Sequence, residues 1–257
     1  MKRRASHQGG AKRLVVAVAA LVAMGAVSAA SAQAAIDGTT DANALASAIS
    51  ATPPVTGAAL DTAPSQTCPG GPCANATDNT PLSSFPTNGS TFSIMTSGDA
   101  YLADQPNDAP NSGYSWGYQN PVRGEAAYDP STLAIPLSVP ANDNCVAFDY
   151  KFFSDEFPEF VGTSFNDVFV AELDKTTWTI TGGGTVSAPD DFAAHGTQVS
   201  VNGIGPNAVS PDNSAGTTYD AASPLLSTKT AVTPGAHTLY LSISDASDAI
   251  GDGPEYR

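Results

Sequence analysis

The amino-acid sequence predicts an all-β fold, an antiparallel β-sandwich of jelly-roll or lectin-like type with one short N-terminal helix. Three observations carry that reading. Val146, Phe148, Tyr150 and Phe152 place apolar and aromatic side chains on one face of an extended segment, and Asp149 and Lys151 take the other. That is the period-two pattern of a half-buried strand. Leu239, Leu241 and Ile243 repeat it near the C-terminus. Between such runs lie clusters of Gly, Pro, Asn and Asp, which favour turns, and many short strands with rich turn chemistry suit a sandwich better than alternating strands and helices.

Taken in order, the chain opens on a segment that reads as an export signal. Lys2, Arg3, Arg4, Lys12 and Arg13 make a basic start, Leu14 to Val27 an apolar stretch, and Ala32-Gln33-Ala34 a small-residue cleavage site. Residues 1–34 are therefore expected to be a signal peptide, and residues 35–257 one β-sandwich domain. The apolar stretch falls short of the roughly 20 residues that cross a bilayer, so no direct membrane insertion is expected of the mature chain. Asp41 is placed to cap a helix over Ala42 to Ser50 by accepting hydrogen bonds from the first free amides. Further strands are expected at Thr91 to Met95, Leu133 to Val139, Asp167 to Leu173, Thr177 to Thr181 and Gln198 to Val201.

Removing the leader leaves 5 of the 10 basic residues against all 25 acidic ones, a net charge near −20. Such a surface repels phosphate backbones and anionic lipids and attracts cations, so no nucleic-acid partner is expected. It also keeps an exported protein soluble. Of the three cysteines, Cys68 and Cys73 flank a Pro-Gly-Gly-Pro turn that brings two sulfurs within reach of a disulfide. Cys145 is left over, either a buried thiol or a residue whose partner lies outside this chain.

The stretch FFSDEFPEFVGTSFNDVF, Phe152 to Phe169, resembles the hallmark of the choice-of-anchor L family of bacterial exported proteins. There, a strand ending in aromatic-x-Ser-acid-acid-aromatic-Pro precedes Phe-Asn-Asp. DANALASAIS, STFSIMTSGDA with its Thr96-Ser97-Gly98-Asp99 turn, and LYLSISDASDAIGD occur in the order that family leads one to expect, so the resemblance covers most of residues 36–252. Asp155 and Phe157 stand where the family more often has Glu and Tyr. After Asp252 the family pattern continues into another apolar strand, and here Gly253 to Arg257 do not. The domain is accordingly expected to lack a C-terminal strand, leaving an exposed sheet edge. The resemblance implies an extracellular β-sandwich fixed to the cell surface, with no defined enzymatic activity.

Four groups of residues are candidates for chemistry. Asp155, Glu156, Asn166 and Asp167 gather oxygen donors within a dozen residues, and Asp245, Asp248 and Asp252 form a second acidic cluster at the end of another predicted strand. Hard cations such as calcium take 6–8 oxygens, and strand pairing that joined the two clusters would make one calcium site. The plainer reading has Asn166 and Asp167 satisfying turn amides. Tyr114, Trp116 and Tyr118, at i, i+2 and i+4, share one side of an extended segment and present aromatic faces that stack on sugar rings, or else fold back into the core. Gly113-Tyr114-Ser115-Trp116-Gly117 matches the nucleophilic-serine pattern, but that motif demands a strand, an elbow and a helix, and no helical period follows. A carboxylate pair for glycoside hydrolysis must face a common cleft, whereas adjacent strand residues such as Asp155 and Glu156 point to opposite faces.

The expectation is a secreted or cell-surface adhesion or binding module without catalytic activity. Its partner would be an extracellular glycan or a cell-surface or matrix component, with calcium as the candidate stabilising ion. The rival readings are an extracellular polysaccharide hydrolase and a structural envelope or matrix component.

Overall fold

Leu133, Ile135, Leu137 and Val139 alternate along one strand, Leu239 and Leu241 along its neighbour, and all are buried. Opposite them lie Val146, Phe148, Tyr150 and Phe152, buried in the same core cluster. Two sheets meeting face to face over a shared apolar core make the molecule a sandwich-like, all-β protein. The computed structural model describes residues 14–17, 36–62, 68, 70–107, 113–193, 198–203 and 208–247.

The strands are β1 (Leu14–Ala17), β2 (Asp37–Gly38), β3 (Ala59–Thr62), β4 (Asn75–Asp78), β5 (Phe92–Met95), β6 (Ala127–Val139), β7 (Cys145–Tyr150), β8 (Phe153–Ser154), β9 (Val168–Leu173), β10 (Thr179–Thr181), β11 (Thr185–Ser187), β12 (Ala221–Ala222), β13 (Leu226–Ala231) and β14 (Gly235–Ala246). The helices are α1 (Ala42–Ile49) and a four-residue α2 (Pro211–Ser214). One principal sheet has the order β3-β6-β14-β9, the facing sheet β1-β7-β13, and a third β2-β4-β5; β10-β11 and β12-β8 are two-stranded. Every pairing is antiparallel except that of β1 with β7, where Leu14 to Ala17 run parallel to Val146 to Asp149.

Local sequence explains the elements. Asp41 accepts the Asn43 N–H at 2.9 Å, satisfying an orphan amide of α1. Ala42, Leu45, Ala46 and Ile49 then fall on one buried face, the helical spacing that seats α1 on the core. The helix stops before Pro53-Pro54, since proline has no N–H to continue it. Across the sandwich, Phe148 meets Phe169 and Phe192 edge-on, with ring centroids 6.5 and 5.9 Å apart. Tyr150 packs 5.2 Å from Phe169 and donates its hydroxyl to the Ala193 carbonyl.

Several expectations change in detail. β6 begins six residues before the predicted Leu133, because Ala127 to Thr132, AYDPST, offer Tyr128 as their one large side chain and are interrupted by Asp129-Pro130, so no apolar alternation shows. At Gln198 to Val201 only an isolated bridge from Val199 to Phe169 forms. Lys151, expected on the solvent face, is half-buried instead. Its ammonium donates to Ser83 Oγ at 2.5 Å and to the Asn213 carbonyl, and it lies 5.3 Å from the Phe153 ring centroid.

Candidate functional site

The stretch from Phe152 to Phe169 begins just after β7 ends at Tyr150. Ser154 Oγ accepts the Glu156 N–H at 3.0 Å, turning the chain so that the neighbouring carboxylates separate. Glu156 goes inward, 2 % exposed, and its Oε2 accepts the Asp167 N–H at 3.0 Å. Its role is therefore to bind the two ends of the 156–167 loop together. Asp155 stays at the cavity wall and accepts the Asp220 N–H at 3.2 Å. Asn166 is buried and its Oδ1 accepts the Asn202 N–H at 3.4 Å.

Ser154, Asp155 and Asp167 border a cavity of about 120 Å³, partly open to solvent, where β5, the β7–β8 junction, β9 and β14 converge. Ile94, Phe152, Phe169, Leu241 and Ile243 supply apolar wall, and Thr96, Ser97, Asp155, Asp167 and Tyr219 supply polar wall. The Thr96–Asp99 turn is built by two side chains. Thr96 Oγ1 accepts the Gly98 N–H, and Asp99 Oδ1 accepts those of Cys73 and Tyr101. Burial, reinforced by the Asp155 carboxylate and more weakly by Asp99 and Asp167, holds the Tyr219 phenol well above its usual range, so it remains a neutral donor. Burial lowers the Lys151 ammonium to about 8.

The second acidic cluster is placed by sheet register. Ser244 of β14 and Val168 of β9 are the last pair of that ladder, and Asp245 follows a bulge and pairs with Tyr128 of β6. Asp245 is buried; Asp248 and Asp252 lie outside the described residues. Among the described residues no three of His, Cys, Asp or Glu are grouped so as to hold a metal ion.

The aromatic segment is organised from below by a carboxylate. Asp129, 0 % exposed, accepts the Trp116 N–H at 2.9 Å through Oδ2 and the Tyr118 N–H at 2.8 Å through Oδ1. The Ser115 hydroxyl approaches Oδ2 at 3.4 Å, and Asp129's own N–H donates to the Tyr118 carbonyl at 2.8 Å. Asp129 adopts φ 44°, a left-handed conformation uncommon outside glycine. Burial pushes its carboxyl above the usual range, partly opposed by the loop's amides. So held, Tyr114 is 44 % exposed, Trp116 and Tyr118 are half-buried, and the Tyr114 and Trp116 rings meet at 65° with centroids 4.7 Å apart. Trp116 Nε1 is buried with no hydrogen-bond partner.

Ser115 therefore sits in a loop whose near neighbour is Asp129, and only the short 3-10 turn Pro121–Arg123 follows. His237 pairs with Leu137, eight residues along β6 from Asp129, or roughly 27 Å at the rise of an extended strand. Its Nδ1 contacts Asp174 Oδ2 at 2.7 Å and its Nε2 the Thr233 carbonyl at 2.9 Å. His195 lies outside the described residues. Cys68 and Cys73 are disulfide-bonded with Cα atoms 5.4 Å apart, and Cys145 is a half-buried free thiol.

Sequence reasoning passed over Asp129, Tyr219 and Thr96 as functional residues. Asp129 carries one local signal, an Asp-Pro step directly after Tyr128 near the start of a strand, and nothing in the sequence ties it to residues 115–118. No family model, no curated protein and no solved structure matches the chain.

Proposed function

We propose that this protein is an exported recognition module that binds saccharide through the Tyr114–Tyr118 loop and does no covalent chemistry. The observation that supports this reading most is Asp129. A fully buried carboxylate in a left-handed conformation is costly, of order 1–3 kcal/mol for the backbone alone, and here it fixes the amides of Trp116 and Tyr118. A loop pre-set in this way spends little ordering entropy on a ligand. Aromatic faces beside a polar edge suit a sugar ring, which has apolar C–H faces and a hydroxyl rim. The resemblance to choice-of-anchor L proteins and the leader-like residues 1–34 support placement outside the membrane, and among the described residues no helix is long and apolar enough to cross one. The test is retention on immobilised cellulose, chitin, dextran and peptidoglycan: parent protein is retained on at least one, and Trp116→Ala lowers retention there at least tenfold. Equal retention of both proteins refutes the reading.

Calcium is the second reading, supported by the two carboxylates, Asp155 and Asp167, that line one cavity. In that reading Asp155, Asp167, Asp245 and residues of the 248–252 segment would supply oxygens, and the ion would offset their mutual repulsion. An increase in melting temperature on replacing EDTA by millimolar calcium, lost in Asp167→Ala, is the expected result. No increase removes the ion from the account.

A further inference from the structure

The 120 Å³ cavity at the β7–β8 junction is a second candidate site, and nothing in the saccharide reading uses it. Its chemistry is divided. Phe152, Phe169, Leu241 and Ile243 make one wall apolar, and Asp155 and Asp167 line the same space. The hydroxyl of Tyr219 lies in the combined field of the Asp155, Asp99 and Asp167 carboxylates. One cation also borders the cavity, Lys151. Its three protons are directed to the uncharged acceptors Ser83 Oγ, the Ser83 carbonyl and the Asn213 carbonyl, and its one positive charge against the two lining carboxylates, Asp155 and Asp167, leaves the cavity wall negative by one charge.

A wholly apolar guest would place no charge against the carboxylates, and a bare metal ion would gain nothing from the aliphatic and aromatic wall. The guest that satisfies both ends carries a positive hydrogen-bond donor on a short hydrocarbon stem. Charge-assisted hydrogen bonds to carboxylates are about twice as strong as neutral ones, and apolar area removed from water adds to them. A chain with formal net charge −15 also concentrates cations around itself. The volume suits a stem of about four carbons, since a cavity of roughly 150 Å³ holds benzene.

We propose that this cavity binds a primary alkylammonium group, its stem against Phe152, Phe169 and Leu241 and its ammonium at Asp155 and Asp167. A free amine and a lysine side chain of a partner share this chemistry. The inference is independent of the aromatic-loop reading, because the two sites share none of the residues named here.

The test titrates the full chain, at constant ionic strength, with n-butylammonium, n-butanol, butyrate and ammonium, followed by amide NMR. Butylammonium is expected to shift the amides of residues 94–98, 151–155 and 167–169 and to bind at least tenfold tighter than butanol. Butyrate and ammonium are expected to leave those amides in place. Asp155→Asn, whose side-chain oxygen still accepts the Asp220 N–H, should abolish the preference over butanol, and Trp116→Ala should preserve it. An acetyl-Gly-Lys-Gly-amide arm separates the sources: shifts at the same amides extend the site to lysine side chains, and their absence beside butylammonium binding assigns it to free amines. Equal binding of butylammonium and butanol, binding of neither, or shifts at these amides with calcium but not butylammonium overturns the proposal. The ligand series needs no variant to fold.

Discussion

Replacing Asp129 by asparagine separates the organisation of the aromatic loop from its composition. Asparagine tolerates the left-handed conformation that Asp129 adopts at φ 44°, so the backbone is not the perturbation. The amide oxygen can still accept the Tyr118 N–H, which Asp129 binds at 2.8 Å. The amide nitrogen then faces the Trp116 N–H, which Asp129 binds at 2.9 Å, and two donors meet. The loss is one charge-assisted bond, about 1.5–3 kcal/mol. A value near 2 kcal/mol multiplies the open fraction of the loop about thirtyfold. Tryptophan fluorescence reads this directly, because Trp178 is fully buried and Trp116 is not. Acrylamide quenching therefore reports mainly on Trp116. Asp129→Asn should raise the quenchable fraction and lower polysaccharide retention while every aromatic residue remains in place. Unchanged quenching and unchanged retention would refute the claim that this carboxylate holds the loop.

Other consequences can be checked separately. Phe148→Ala removes a ring buried among Tyr150, Phe169 and Phe192 and should cost about 3–5 kcal/mol in urea unfolding; a cost under 1 kcal/mol would contradict the sandwich core. Reducing the Cys68–Cys73 disulfide, which spans a sequence separation of 5, should cost roughly 2 kcal/mol, the entropy of a short loop, seen as a lower urea midpoint. Both ring nitrogens of His237 face acceptors, Asp174 Oδ2 and the Thr233 carbonyl, which selects the doubly protonated ring. The Asp174 hydrogen bond and its charge raise the His237 pKa, and the same hydrogen bond lowers that of Asp174. The pair's contribution is thus lost as pH rises through the raised histidine value, and lost again as pH falls through the depressed aspartate value. Histidine NMR titration should give a value above 6.5 that returns towards it in Asp174→Asn; no change in that variant would remove the pairing.

Strand pattern was legible wherever one face is apolar and the other polar. Val146 to Phe152 and Leu239 to Ile243 announce the two sides of the core, and Asp41 announces α1, because in each the local signal and the tertiary role agree. β4, with sequence NATD, and β13, with LSTKTA, carry few large apolar residues and are strands because their neighbours pair with them. The site was legible in composition and not in connection. The carboxylates of Phe152 to Phe169 stand out in the sequence, but adjacent Asp155 and Glu156 take different roles only once Ser154 caps the turn and Asp167 closes the loop. Asp129 was invisible because a carboxylate that holds a loop 11 to 14 residues earlier in the chain leaves no periodic trace.

Ligand that lands on the pre-set aromatic loop must cover Trp116. The most direct measurement is acrylamide quenching of the full chain, with and without saturating soluble oligosaccharide of whichever immobilised polysaccharide retains it. Binding at the loop predicts that the sugar shields Trp116 and the quenchable fraction falls, with no such change in Asp129→Asn at the same sugar concentration. Retention on the polysaccharide with the quenchable fraction unaltered by sugar would place recognition elsewhere on the molecule and contradict the account.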